Sequence, residues 1–259
     1  MLDKINIQDI VNISKEAGKE ILQIYATDFE VEQKEDNSPL TLADKNANDL
    51  ILDQLQKKYP EIPFISEETK KTSYEERKKW EYLWLIDPLD GTKEFLKKNG
   101  EFTVNIALIH NQNPVLGVVH VPAQNITYWA KKGIGAYYQN ENDTPHEIKA
   151  KTFSLNEHDL TLVCSRSHMS EEVENYLRKF QNPNTISMGS SLKFMLVADG
   201  RAHIYPRLAP TMEWDTAAAH AVLNEAGGAV IQHDNDKPLV YNKENLKNPH
   251  FIAFGNVNN

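Results

Sequence analysis

Residues 82–92 read Tyr82-Leu83-Trp84-Leu85-Ile86-Asp87-Pro88-Leu89-Asp90-Gly91-Thr92. The first residues form a compact apolar run that reads as a buried strand. The pattern predicts that this strand stops at Asp87-Pro88. Asp87 and Asp90 then lie three residues apart at the strand's end. Pro88 restricts the backbone between them, which aims the Leu89 carbonyl at the same point. An all-oxygen donor set suits a hard cation such as Mg²⁺. Gly91 and Thr92 open a predicted helix through Lys93, Glu94 and Phe95, whose leading N–H groups suit phosphate. The hexapeptide also reads, less well, as a plain turn with Asp87 or Asp90 as N-cap, and by itself it leaves both open.

Working outward, apolar residues from Ile7 to Tyr25 recur at helical spacing, and a polar stretch, Gln33 to Pro39, follows. A second helix opens at Thr41 and ends at Tyr59-Pro60. Ile62–Ile65 is a short predicted strand leading into Ser66-Glu67-Glu68, and the charge-dense Lys70–Lys79 reads as a solvated loop or helix. Phe102–Ala130 contains no Asp, Glu, Lys or Arg, yet its Asn, His and Pro residues argue against a membrane span. It reads as strands 102–109, 115–121 and 126–130, with a hairpin at Asn111-Gln112-Asn113-Pro114. Gly133-Ile134-Gly135 reads as a turn.

The polar residues 140–152 mark a candidate boundary between an α+β half, 1–152, and an α/β half, 153–259. In the second half strands at 160–164, 185–188, 203–205, 229–232 and 251–254 alternate with helices at 171–180, 190–198 and 214–226, the last closed by Gly227-Gly228.

Other acids join the pair. Glu67 follows its own apolar strand, and strand ends in open sheets often face one crevice; Glu67-Glu68 also reads as a solvated charge pair. Asp215, in Glu213-Trp214-Asp215-Thr216, starts a helix, where an acid is at home for its effect on the dipole alone. Thr41-x-x-Asp44 has the spacing of a capping box, a structural use that leaves room for a catalytic one.

Composition sets limits. The chain has 259 residues, 40% hydrophobic and 25% charged, enough to bury roughly 70–75% of its unfolded surface without disulfides. One cysteine, Cys164, excludes an intrachain disulfide and a Cys-based zinc site and fits a reducing compartment. The net charge of −9 is the wrong sign for a non-specific binder of nucleic acid or anionic membrane. The start of the chain, MLDKINIQDI, shows no secretory pattern, and no amphipathic or lipidated anchor is visible, so the expected location is cytoplasmic. P-loop, zincin, nucleophile-elbow and C-x-x-C motifs are absent. The histidines form no close pair at ligand spacing, and His110, His120, His203 and His220 read as structural.

Taken together, Glu67-Glu68, Asp87-Pro88-Leu89-Asp90-Gly91-Thr92 and Trp214-Asp215-Thr216-Ala217-Ala218 resemble the motifs of the inositol monophosphatase superfamily of Mg²⁺-dependent, lithium-sensitive phosphatases. Ser38–Asp44, Gly91–Phe95, Gly100–Asn105, Gly189–Phe194 and Tyr205-Pro206-Arg207 resemble its 3'(2'),5'-bisphosphate nucleotidase branch, the CysQ type. Lys93-Glu94 stands where inositol phosphatases typically carry Thr-Asn. Ala219 stands where the family usually has Gly, and Ser66 where Gly is common elsewhere in the superfamily.

The resemblance implies an α/β fold, a layered αβαβα sandwich. It implies two or three Mg²⁺ ions held by Glu67, Asp87, the Leu89 carbonyl, Asp90 and Asp215. Gly91 and Thr92 would grip the scissile phosphate, and Thr92, polarised by Asp44, would bond the attacking water. Glu67 is thereby catalytic too, and Glu67, Leu89, Asp90 and Asp215 contact substrate through the metals. Ser191, Lys193 and Arg207 are the candidates for the nucleotide and its second phosphate, although Lys193 and Arg207 read equally as surface charges. The implied reaction removes the 3'-phosphate of adenosine 3',5'-bisphosphate. Alternatives are an inositol or sugar phosphatase and a non-catalytic Mg²⁺- or nucleotide-binding module. The expected partner is a small phosphorylated nucleotide, not nucleic acid or membrane. Trp214 adjoins Asp215 and is placed to shape the site.

Overall fold

The computed structural model describes residues 1–27, 31–33, 39–141, 143–164 and 170–258, except the side chains of 31–33 and 39–41. The first half runs α1 (Ile7–Tyr25), β1 (Val31–Gln33), β2 (Pro39–Thr41), α2 (Leu42–Lys58), β3 (Phe64–Ser66), α3 (Tyr74–Arg77), β4 (Tyr82–Asp90) and α4 (Thr92–Leu96). Five further strands follow: β5 (Thr103–His110), β6 (Asn113–Val121), β7 (Ile126–Lys131), β8 (Gly135–Asn140) and β9 (His146–Ile148). The remainder is β10 (Thr152–Phe153), β11 (Thr161–Cys164), α5 (Glu171–Leu177), β12 (Asn184–Ser187), α6 (Leu192–Ala198), β13 (Ile204–Arg207), α7 (Glu213–Glu225), β14 (Ala229–Gln232), β15 (Phe251–Phe254) and β16 (Asn256–Val257).

Strands β3 to β9 form one seven-stranded sheet in chain order, antiparallel except for the parallel pair β3–β4. Because side chains alternate across a sheet, each strand serves two cores. Trp84, Ile86, Val104, Ile106 and Leu108 face α1 and α2, where Ile10, Ile13, Ala17, Ala43, Ala47 and Ile51 are fully buried. Leu83, Leu85, Ala107, Ile109 and Val119 face the other way, onto Ala217, Ala218 and Leu223 of α7 and Met195 of α6. A mixed five-stranded sheet, β12-β11-β13-β15-β14, covers the far side of those helices with Val163, Tyr205 and Phe251. Its outer face packs Leu162, Ile204 and Ile252 with Tyr176 and Val173 of α5. The layers are therefore helix, sheet, helix, sheet, helix, and the double-sided sheets explain why their strands read as nearly unbroken apolar runs.

Several boundaries differ from the sequence reading. Strand β4 does not stop at Ile86 but continues to Asp90 with an irregular register between Asp87 and Asp90. Pro88 is tolerated there because a bulge needs no ladder N–H. The segment 140–152 is not all linker: His146–Ile148 is the edge strand β9, and β8 before it was not read from the sequence at all. The hairpin turn is shorter than expected, with Asn111 and Gln112 at φ 47° and 67° and Pro114 already within β6. Helix α6 starts at Leu192 rather than Ser190, and α5 ends at Leu177 rather than Phe180. Arg77, within the segment read as solvated, is buried. Most of the polar stretch Gln33–Pro39 and the Thr41 side chain lie outside the described residues. Among the described residues, no helix is long and apolar enough to cross a membrane.

Helix α7 can approach the sheet closely because Gly117 faces it from β6. A Cβ at Gly117 would lie 2.2 Å from the Ala218 carbonyl oxygen, inside van der Waals contact. Gly117→Ala should therefore lose about 1–3 kcal/mol in urea denaturation as helix and sheet separate; an unchanged midpoint and slope would show that the contact carries no such constraint.

Candidate active site

The site lies where the seven-stranded sheet meets the N-terminus of α7. Strands β3 and β4 are parallel, with Ser66 beside Ile86, and the Glu67 N–H donates to the Ile86 carbonyl. Glu67 and Asp87 thus leave adjacent strands at the same level. Within β4, Asp87 pairs with Asn105 and Asp90 with Thr103. Three steps along β4 oppose two along β5, so one extra residue is accommodated as a bulge. The bulge puts Asp90 on the same face as Asp87, which regular alternation would forbid. That face is the one covered by α7. Asp215 arrives from its first turn, where its carboxylate accepts the Met212 N–H at 2.9 Å.

One carboxylate oxygen from each of Glu67, Asp87 and Asp215 lies within 4.8 Å of the others. Burial pushes Asp87 well above the usual carboxylate range, and the like charges of Glu67, Asp90, Asp215 and Asp44 push it the same way. Asp215 is raised by burial and then by Asp90, against the Met212 N–H. Asp90 is pushed up to about 6 by burial, despite the lowering influence of Lys193 and of the Ser191 N–H. These acids fit a hard divalent cation: the donors are all oxygen, they converge, and their repulsion is relieved by positive charge between them.

Asp44 is fully buried in the first turn of α2, and its charge reaches Asp87. The Leu89 side chain enters the α1/α2 core, while its carbonyl accepts the Thr92 hydroxyl at 3.4 Å. Gly91 has φ 94°, and a Cβ there would meet the Glu101 carbonyl oxygen at 3.1 Å and the Ser190 Cβ at 3.2 Å, so only glycine is comfortable between these segments.

A cavity of about 420 Å³ adjoins the acids and is bounded by Asp90 and Asp215. Lys193 and Arg207 line it too, so neither is a surface charge. Lys193 is buried, its Nζ donates to the Ser190 carbonyl at 2.7 Å, and burial lowers its pKa to about 8. Arg207 Nη2 donates to the Pro210 carbonyl at 3.1 Å, and its buried Nε has no hydrogen-bond partner among the described residues. Ser191 also lines the cavity, but its groups are committed internally. Its N–H donates to Asp90 Oδ2 (2.5 Å), and its hydroxyl donates to Asn105 Oδ1 (2.9 Å) and lies 2.9 Å from Thr103 Oγ1.

Tyr205, quoted above with Arg207, lines the cavity as well, as do Met188 and Thr211, which were not singled out from the sequence. Nothing in the residue types of Met188 and Thr211 marks them. Trp214 lies under the Lys71 ammonium, 4.6 Å from the ring centroid, and does not line the cavity. His120 and His220 are buried against Thr127 and Tyr241, as structural histidines.

The raised carboxylates make a statement about stability. An acid whose folded pKa exceeds its unfolded value of about 3.8 stabilises the fold fully below that pH, and the contribution is lost as pH rises through the folded pKa. In chelator-treated protein, the contribution of Asp90 should fall between about pH 4 and pH 6. Urea midpoints at pH 4.5 and pH 7 should fall less for Asp90→Asn than for the parent, and equal falls would contradict the assignment.

Comparison with known proteins agrees with this geometry. The model of the inositol monophosphatase family matches residues 2–251. A 3'(2'),5'-bisphosphate nucleotidase CysQ of Escherichia coli O157:H7 is 44% identical over 249 residues, covering 95% of this chain and 98% of that one. A protein of the same name from Haemophilus influenzae is 37% identical, covering 96% and 92%. The crystal structure of CysQ from Bacteroides thetaiotaomicron, described as a bacterial member of the inositol monophosphatase family, superposes with a TM-score of 0.84 at 42% identity over 96% of this chain and 97% of that one. An IMPase from Thermotoga maritima follows at a TM-score of 0.76 and 26% identity, covering 94% and 89%. A layered fold, converging acids and relatives that match along nearly the whole length all lead to one conclusion: the chain belongs to the inositol monophosphatase family.

Proposed function

We propose that this phosphatase hydrolyses the 3'-phosphate of adenosine 3',5'-bisphosphate to give adenosine monophosphate and phosphate. The observation that carries the reading is a cavity lined both by acids, Asp90 and Asp215, and by two cationic side chains, Lys193 and Arg207. A substrate with two phosphates suits that division: one phosphate at the acids, the other near the cations. The bisphosphate nucleotidases that this chain resembles at 37–44% identity support it.

Mg²⁺ is the cation this reading assigns to Glu67, Asp87, the Leu89 carbonyl, Asp90 and Asp215. When bound, such ions supply a more acidic water and a counter-charge for the phosphate and the leaving oxygen. Thr92 bonds the attacking water through its hydroxyl, and Asp44 polarises that hydroxyl from the buried side. Gly91 and Thr92 position the scissile phosphate by their backbone N–H groups. Ser191 contributes by holding Asp90 through its N–H. Lys193 and Arg207 orient the second phosphate. Water is the acceptor, so no covalent enzyme intermediate is required. Its partner is a small phosphorylated nucleotide, and it works in the cytoplasm.

Phosphate release with Mg²⁺ should favour adenosine 3',5'-bisphosphate over inositol 1-phosphate and fructose 1,6-bisphosphate, and should stop with chelator and fall with lithium. A tenfold or greater kcat/KM preference for either competitor would move the activity to another branch of the family. Nucleotide binding without turnover would make it a binding module. Asp87→Asn and Asp90→Asn should each cut kcat by more than about 100-fold, since removal of a direct ligand exceeds the ~10–100-fold effect of losing a group behind one. Near-normal turnover in both would refute the metal site.

A further inference from the structure

Glu213 opens α7 two residues before Asp215, and it is fully buried. Its carboxylate accepts the Asn242 N–H at 2.5 Å, the Lys243 N–H at 3.0 Å and the Lys243 ammonium at 2.5 Å. The same ammonium donates to the Val240 carbonyl and to Asn248 Oδ1. Asn248 in turn donates to the Met212 carbonyl at 2.9 Å and to Thr216 Oγ1 at 3.0 Å. Backbone bonds run alongside: the Glu213 N–H to the Leu246 carbonyl and the Asn248 N–H to the Thr211 carbonyl. The loop 240–248 therefore grips the start of α7 on both sides of Asp215. The peptide held by Asn248 is continuous with the Met212 N–H that bonds Asp215 Oδ2.

The other end of this network reaches α3, which follows the Glu67 strand in the chain. Arg77, buried at the end of α3, donates to Asn242 Oδ1 (2.9 Å), the Lys243 carbonyl (2.5 Å) and the Glu244 carbonyl (2.6 Å). The Asn242 side-chain amide returns a bond to the Arg77 carbonyl at 2.8 Å. A buried ion pair adds little stability over apolar residues of equal size, but it demands a fixed geometry.

We infer that the Glu213–Lys243 pair and Arg77 clamp the loop 240–248 so that it fixes the start of α7, and with it the place of Asp215. All three are positioning residues for metal affinity. The inference rests on the metal reading of Asp215 and goes beyond it by naming what holds that carboxylate.

Calorimetric titration of the full chain with Mn²⁺, without substrate, tests it on Lys243→Met, Arg77→Lys and Asp215→Asn. Lys243→Met and Arg77→Lys should bind Mn²⁺ roughly tenfold more weakly than the parent, as losing a ligand's supporting partner does. Their kcat at saturating metal should stay near the parent's, so the change appears in metal dependence rather than turnover. Lys243→Arg should recover most of the affinity. If Lys243→Met does not fold, Arg77→Lys, which touches none of the acids, carries the test. Parent-like Mn²⁺ affinity in the folded variants, with only a lower Tm, would overturn the clamp and leave the metal site standing. Parent-like affinity in Asp215→Asn would overturn both.

Discussion

Glu67, Asp87, Asp90 and Asp215 repel one another, and the fold holds them together against that repulsion. A pair of like charges at about 4 Å costs roughly 4 kcal/mol at an effective dielectric near 20, so several such pairs need rigid support. The support is visible around them. The sheet behind Asp87 is packed on both faces, α7 is pressed onto it through Gly117, and the start of α7 is tied to the loop 240–248. Asp87, Asp90 and Asp215 respond in the one way left to them, by holding protons at a higher pH than usual.

The same constraint explains how a chain with net charge −9 accommodates an anionic ester. Its overall field attracts no phosphate. The cavity solves the problem locally, with a cluster that demands cations at one boundary and Lys193 and Arg207 in its wall. Burial works against the Lys193 charge, and the carboxylates Asp90, Glu94 and Glu101 work for it, so the cation is sustained by the acids it faces. The two charge types are thus coupled across one small volume.

Much of the fold was legible. The helical periodicity of α1, the apolar runs of β4 to β7 and the β-α alternation after residue 160 appear in the structure within a few residues. What escaped was short or paired only by distant partners. Strand β9 is three residues at a sheet edge, and it reads as polar linker because two of the three are exposed. Arg77 looked solvated because charge density says nothing about a loop arriving from residues 242–244.

The residue types and their order determined by themselves that acids sit at strand ends and a helix start, and which family those motifs resemble. Local chain chemistry suffices for that, since caps, breaks and periodicity depend on near neighbours. Only the tertiary structure decided that Asp90 shares a face with Asp87, that Lys193 is buried rather than solvated, and that Ser191 serves Asp90 instead of standing free. Each depends on a register shift or on a contact between segments far apart in the chain, and pairing geometry of that kind leaves no mark in the spacing of residues along one strand.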